Sequence, residues 1–405
     1  MLLYFFIAML AMASSARARY MMYLTGQHQN VPELEMVSEV THVAIAFMQS
    51  SIFNQKEVSE WPLFTTVKEV RSKFAEGTKI MIAIGGWGDT GFSKASTTVN
   101  TRRLFAKNVK AMVDATGADG VDIDWEYPCG NGEDYKQHTS YDRKVKEFKH
   151  YPMLLAEIRY ALGRNAIISA AVPGLRRDML AFTKKSLPKI SRSLNFLNVM
   201  TYDLMNRRDN VTKHHTGVVA SLDAINAYLE AGVPPQGINL GFAFYVKWFR
   251  TDPNGGCEKN PIGCKTVLME DPKTGADLGQ CGAFAWNDRV PKELAFSFRL
   301  AQRDGKYDEV GGGFYYWDSE ENIFWTWDTP EAIARKFPLI VKEKDLGGVF
   351  AWGLGEDGSQ FNHLNALTDM VRDYRRIHPD PIVEEVPEPV LLEPENDSHD
   401  IKDEL

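Results

Sequence analysis

The segment Gly117-Ala-Asp-Gly-Val-Asp-Ile-Asp-Trp-Glu-Tyr-Pro128 alternates apolar and acidic side chains. Successive residues of a strand point to opposite faces, so Asp122, Asp124 and Glu126 share one face while Val121, Ile123 and Trp125 share the other. The apolar set is suited to packing against helices. The acidic set would then project inward, with Glu126 at the carboxyl end of the strand. Asp119 has the opposite parity and is assigned to the incoming turn. Three carboxylates on one face, each roughly 6.5–7 Å from the next, cannot all ionise without electrostatic cost. The group is expected to titrate as a coupled unit that leaves one member protonated near neutrality, a proton available for general-acid work. An acid cluster satisfied by calcium is the plainer reading, but one extended strand lacks the loop and carbonyl ligands that calcium takes.

On both sides of this segment, short apolar runs recur, at 20–24, 42–48, 79–85, 119–126, 166–172, 195–202, 237–244 and 347–353. Several are nearly continuous in Val, Ile, Leu, Ala and Phe, as strands buried on both faces should be. Between most of them lie helical patterns. Leu104, Phe105, Val109, Met112 and Val113 repeat at helical spacing over 102–116, and 142–162 and 218–231 read alike. Thr329-Pro-Glu supplies an N-cap, a proline at the first helical position and an acid in the first turn, and Pro338 should shorten or kink the helix that follows. Eight strands alternating with helices predict an α/β fold, a (β/α)8 TIM barrel, ahead of a doubly wound open sheet. The interval from about 250 to 320 is too long for an irregular loop in a compact domain. It is read as an inserted α+β subdomain between strands 7 and 8, with its own strand near Gly313 to Trp317.

The chain has 405 residues, 44% of them hydrophobic, and a formal net charge of −8. That charge argues against nucleic acid as a partner, since phosphate binding needs a basic face. Residues 1–18 read as a signal peptide: an apolar run from Leu2 to Ala13 is followed by Ala16-Arg17-Ala18 as an A-x-A-like cleavage site, and no other run approaches membrane length. The chain ends in Lys402-Asp-Glu-Leu405, an ER-retention tetrapeptide, at the end of a Pro- and acid-rich tail over 379–405 that cannot bury an apolar face. Together these predict residence in the ER lumen, an ER-retention receptor as a partner, and a catalytic domain over 19–378. Cys129, Cys257, Cys264 and Cys281 allow three pairings, with a local bridge expected among the last three. Asn210-Val-Thr and Asn396-Asp-Ser match N-glycosylation acceptors.

Asp119-Gly120-x-Asp122-x-Asp124-x-Glu126 resembles the D-x-x-D-x-D-x-E signature of glycoside hydrolase family 18, the chitinase-type family. The likeness continues in Ala83-Ile-Gly-Gly-Trp87, in Met200-Thr-Tyr-Asp203 and in Gly347-Gly-Val-Phe-Ala-Trp352. It implies hydrolysis of β-1,4-linked N-acetylglucosamine polymers such as chitin, by a monomer with no cofactor and no metal. Most retaining glycosidases use two carboxylates flanking the bond, whereas this family uses the substrate's own 2-acetamido oxygen as nucleophile through an oxazolinium intermediate.

By the same resemblance, Glu126 is the acid and then the base. Asp124 orients the acetamide, Asp122 supports Asp124, and Tyr202 donates to the acetamide oxygen. Asp203 and Met200 bind the same sugar, and Trp352 lies beneath it. Trp87, Tyr245 and Tyr127 are further candidate substrate contacts. The other tryptophans of the insertion and strand ends are assigned as readily to core packing. Ala83 departs from the family's serine, and Lys247 stands where relatives carry arginine; these put the pH optimum and the subsite preference in question.

Two other functions are compatible with the residues. One is an endo-β-N-acetylglucosaminidase acting on N-glycan cores, which an ER location would favour. The other is a sugar-binding lectin without activity, disfavoured because both Asp124 and Glu126 are present.

Overall fold

The computed structural model describes residues 18–130, 132, 136 and 144–377. Residues 1–17 of the expected leader, Asn396 and the acidic tail with its Lys402–Leu405 terminus lie outside the described residues. The strands in chain order are β1 (Arg19–Thr25), β2 (His42–Met48), β3 (Lys79–Gly85), β4 (Gly120–Asp124), β5 (Ile167–Pro173), β6 (Phe196–Met200), β7 (Ile238–Ala243), β8 (Tyr245–Arg250), β9 (Cys281–Ala285), β10 (Lys306–Asp308), β11 (Gly313–Asp318), β12 (Ile323–Trp327) and β13 (Gly348–Trp352). β1 to β7 and β13 close into a parallel barrel in the order β1-β13-β7-β6-β5-β4-β3-β2. All eight barrel strands coincide with the runs read from the sequence to within a few residues.

Parity sorts the side chains. Val121, Ile123 and Trp125 join the large apolar layer between strands and helices, together with Phe105, Val109 and Met112 of the helix Val99–Thr116. Trp125 stacks on Phe92 at 5.4 Å and meets Tyr151 edge-on at 5.5 Å, as a structural residue should. The barrel interior is a second, smaller cluster that includes Met21, Tyr23, Ala83, Phe196, Met200 and Phe350. Helix starts follow the local chemistry. The Thr98 and Thr101 side chains form a reciprocal cap at the start of Val99–Thr116, and Thr329 accepts the Ala332 N–H at 3.1 Å ahead of Pro330–Lys336. The α-helix stops at Lys336, and the turn containing Pro338 winds more loosely over Phe337–Lys342.

The insertion is wider than the interval of about 250–320 read from the sequence. β8 to β12 form an antiparallel five-stranded sheet in the order β10-β11-β12-β8-β9, covered by the helix Ala295–Asp304. It begins at Tyr245, a single residue after β7, so the junction reads as one continuous apolar run. Trp325 and Trp327 lie in its core, with Trp248 and Trp286 packed against them. Cys257 and Cys264 form a disulfide, while Cys129 and Cys281 are free. Asn210 is exposed, and the Thr212 hydroxyl of the same acceptor sequence is buried against the Pro261 carbonyl. No helix among the described residues is long and apolar enough to cross a membrane.

Candidate active site

β4 delivers its acids at three depths. Asp122 is fully buried in the barrel, Asp124 is 3% exposed, and Glu126 sits at the rim beyond the strand's end. Asp119 stays at the opposite end, where it pairs with Arg71 at 2.9 Å and accepts the Ile80 N–H.

Asp122 is held from three strands. It accepts the Tyr23 hydroxyl of β1 at 2.7 Å, the Ser169 hydroxyl of β5 at 2.5 Å and the Asn198 amide of β6 at 3.1 Å. Asn198 is oriented in turn by Asn239 at 2.9 Å, and Asn239 by Arg19 at 2.9 Å, a polar chain that crosses the barrel interior. In register, Asp122 lies between Ala83 of β3 and Ser169 of β5. The hydroxyl support that the Ala83 position lacks thus comes from the neighbouring strand on the other side. Tyr23, Ser169 and Asn198 escaped the sequence reading. Their signal was available: each is a polar residue at inward parity in an otherwise apolar strand.

Asp124 has no such support. Its Oδ1 is buried and without a hydrogen-bond partner. Burial first, then the charges of Glu126, Asp122 and Asp89, holds its carboxyl well above the usual range. An unsatisfied buried oxygen of this kind is costly and points to a donor supplied from outside the chain. Glu126 is pushed up to about 8, chiefly by burial; the Tyr127 side chain pulls it down, and the negative charges of Asp203 and Asp178 push it further up. It therefore holds a proton at neutral pH.

Tyr202 and Asp203 follow β6. The Tyr202 ring packs edge-on against Tyr245 and Phe350. Asp203 adopts φ 53°, a left-handed conformation that Asp tolerates better than most residues. Its carboxylate accepts the Tyr245 hydroxyl at 2.8 Å and the Lys247 ammonium at 2.9 Å. Desolvation raises the Asp203 carboxyl, but Lys247, His215 and the two hydrogen bonds outweigh it and leave it below the ordinary value. Lys247 thus takes up the carboxylate partnership at the position where the sequence departs from the family. Trp352, at the end of β13, stacks on Phe47 at 5.4 Å and tilts against Tyr23 at 5.5 Å. Trp87 is 48% exposed at the rim, with the Arg208 guanidinium 5.8 Å from its ring.

These side chains line two adjoining cavities. The larger, about 400 Å³, is lined by Asp124, Glu126, Tyr127, Met200, Tyr202, Asp203, Tyr245, Trp87 and Trp352. Every candidate site residue therefore borders one space except Asp122, which lies behind Asp124. The second cavity, about 250 Å³, shares Trp87, Glu126, Tyr127, Tyr202 and Asp203 and is walled by Ala283 and Gly282 of the insertion. Glu126 stands where the two meet. Gln27, His28, Asp288 and Glu356 also line the larger cavity and were not anticipated. They sit on loops, where no periodicity marks them.

A flat aromatic floor, a protonated acid at a junction and a buried acceptor awaiting a donor form a cleft suited to a polar ring substrate. The sequence model of the family described as glycosyl hydrolases family 18 matches residues 19–357. Endochitinase 1 of Metarhizium robertsii is 28% identical over 292 residues, which cover 69% of this chain and 62% of that protein, under two thirds of its length. Chitinase 1 of Aphanocladium album is 25% identical over 350 residues, 78% of this chain and 75% of its own. Among solved structures, a chitinase from Rhizomucor miehei superposes with a TM-score of 0.69 at 21% identity, covering 87% of this chain and 99% of that one. A family 18 N-acetylglucosaminidase from Paenibacillus barengoltzii gives 0.63 at 23% identity, with the same coverage. The likeness to these two structures establishes the barrel fold, and the match of the family model over most of the sequence establishes more: the chain belongs to glycoside hydrolase family 18.

Proposed function

We propose that this protein hydrolyses β-1,4-linked N-acetylglucosamine polymers, chitin and its oligosaccharides, with retention and with the substrate's acetamide as nucleophile. The observation that carries this reading is the pairing on one strand of a protonated acid, Glu126, with a buried carboxyl oxygen of Asp124 that has no partner, both opening into the cavity that Trp352 lines. Chitinases among the relatives lend further support.

In the proposed reaction a sugar stacks on Trp352 with its acetamide between Asp124 and Tyr202. The acetamide N–H donates to Asp124 Oδ1, and the Tyr202 hydroxyl, kept protonated by burial, donates to the acetamide oxygen. Glu126 gives its proton to the glycosidic oxygen as the bond breaks, and the acetamide oxygen closes onto the anomeric carbon. The resulting oxazolinium is positive, and Asp124 Oδ1, accepting its N–H, stabilises it in a water-poor site where an oriented dipole acts strongly. Glu126, now ionised, takes a proton from the water that opens the ring. Asp203, fixed by Tyr245 and Lys247, accepts a sugar hydroxyl.

The test is a substrate panel: N-acetylglucosamine oligomers, a chromogenic chitobioside, cellulose oligomers and a high-mannose glycoprotein. Cleavage of the N-acetylated oligomers and the chitobioside, lost in Glu126→Gln, is expected, with cellulose untouched. Cleavage of the glycoprotein alone would replace the chitinase reading with an N-glycan-core endoglycosidase. Binding without turnover would make the chain a lectin.

A further inference from the structure

The two cavities meet at Glu126 and divide the cleft between them. Asp124, Met200 and Trp352 border only the larger one, while Glu126 borders both. A glycosidic oxygen protonated by Glu126 therefore lies at the junction. The reacting sugar over Trp352, and any glycone units behind it, occupy the larger cavity. The leaving chain runs into the smaller one.

His28, Asp288 and Glu356 border the larger cavity and not the smaller. They come from three segments that are tied together: the loop after β1, the turn of the insertion after β9, and the loop after β13. His28 Nε2 lies 2.8 Å from Asp288 Oδ1, and the other Asp288 oxygen accepts the Ala285 N–H at 2.9 Å. Asn287 donates its backbone N–H to the Glu356 carbonyl at 3.0 Å and its side-chain amide to the Gly355 carbonyl at 3.2 Å. A side chain at Gly355 would collide with the His28 carbonyl, so the loops after β1 and β13 touch backbone to backbone.

This junction also presents an unmet acceptor. Desolvation raises the Asp288 carboxyl, but the bonds from His28 and Ala285 outweigh it and hold it below the ordinary value. Asp288 therefore accepts and His28 Nε2 donates, which leaves Nδ1 of the neutral ring with a lone pair. That Nδ1 is buried, has no hydrogen-bond partner and lies 3.9 Å from Glu356. A buried acceptor in a cavity wall calls for a donor from a bound molecule, and a sugar hydroxyl is one. Space is limited too. The larger cavity measures about 400 Å³. An N-acetylhexosamine unit packed at protein density fills roughly 200–250 Å³, so the cavity takes the reacting unit and about one more. Beyond it, Gly26 to Asn30 carry no Phe, Tyr or Trp on which a third sugar could stack.

We propose that this junction is the end wall of the glycone side, that His28 Nδ1 accepts a hydroxyl of a non-reducing terminal sugar, and that the enzyme is exo-acting, releasing the disaccharide from the non-reducing end of the polymer. The proposal rests on the hydrolase reading above and adds where along the chain the cut falls. Admitting a third glycone unit would break the His28–Asp288 bond. Losing one hydrogen bond to a charged group corresponds to about tenfold or more.

The experiment digests an N-acetylglucosamine hexamer tagged at its reducing end and follows the first products by mass spectrometry. Untagged dimer with tagged tetramer is expected, in about tenfold excess over untagged trimer with tagged trimer. The excess should fall in His28→Ala. A second substrate tests the wall in the unaltered protein: a hexamer carrying one further galactose on O4 of its non-reducing end should be cut about tenfold more slowly. Untagged dimer, trimer and tetramer in comparable amounts would overturn this proposal alone, as would untagged monomer in place of dimer. Equal rates on the capped and uncapped hexamers, or a dimer excess unchanged in His28→Ala, would overturn it too. Failure to cut the uncapped hexamer at all would sink the hydrolase reading, and this proposal with it.

Discussion

Replacing Glu126 with Gln should remove activity and, at neutral pH, stabilise the fold. The Glu126 carboxyl rises from an ordinary 4.5 to about 8 in the folded chain, with burial as the main cause. The folded state therefore holds this proton more tightly than the unfolded one. Stability from that preference is fully present below about pH 4.5 and is lost as pH climbs through about 8. At pH 7 the interval crossed is about 2.5 units, and at 1.36 kcal/mol per unit the cost approaches about 3 kcal/mol. Glu126 is partly open to the cleft, so solvent screening trims this to about 1–3 kcal/mol. Gln has nearly the same shape and no charge to desolvate, so the variant escapes the cost. Urea unfolding of both proteins at pH 5 and pH 7 measures it. The variant should gain at least about 1 kcal/mol more at pH 7 than at pH 5. An equal gain at both pH values, or a loss at pH 7, would show that the rim carboxyl is not strained by burial and would remove the reason for calling it a stored acid.

In the wild-type enzyme, kcat/KM on N-acetylglucosamine oligomers should fall above about pH 8 as Glu126 loses its proton; a profile flat to pH 10 would place the acid elsewhere. Trp352→Ala should lower kcat/KM on a trimer by about tenfold, since a stacked ring contributes about 0.5–1.5 kcal/mol beyond its buried area. Opening the Cys257–Cys264 bridge with Cys257→Ser should cost about 2 kcal/mol by the loop-closure argument. Limited proteolysis should then cut within the insertion while the barrel stays resistant.

Much of the site was legible because alternation along an extended segment is rigid information. Once β4 was recognised, the placing of Asp122, Asp124 and Glu126 on one side followed, and so did the exclusion of Trp125 to the helix layer. The barrel strands were legible for a related reason: strands buried on both faces leave short continuous apolar runs. The insertion's edges were not, because only Phe244 separates β7 from β8 and composition does not change across the junction. The brace around Asp122 shows an intermediate case. Tyr23, Ser169 and Asn198 are conspicuous as polar residues in apolar strands, but which acid they serve depends on strand order and register. His28, Asp288 and Glu356 come together from three loops with no local pattern linking them. Three non-proline cis peptides, at Ala46–Phe47, Glu126–Tyr127 and Trp352–Gly353, were likewise unmarked in the sequence.

The configuration at the anomeric carbon tests the proposed chemistry most directly. Proton NMR recorded during the first minutes of hydrolysis of an N-acetylglucosamine tetramer resolves the new reducing ends before they equilibrate. Attack by the acetamide followed by water predicts that the β-anomer appears first. Initial appearance of the α-anomer would mean that water attacks directly, with Asp124 or Glu126 as its base, and would contradict the account.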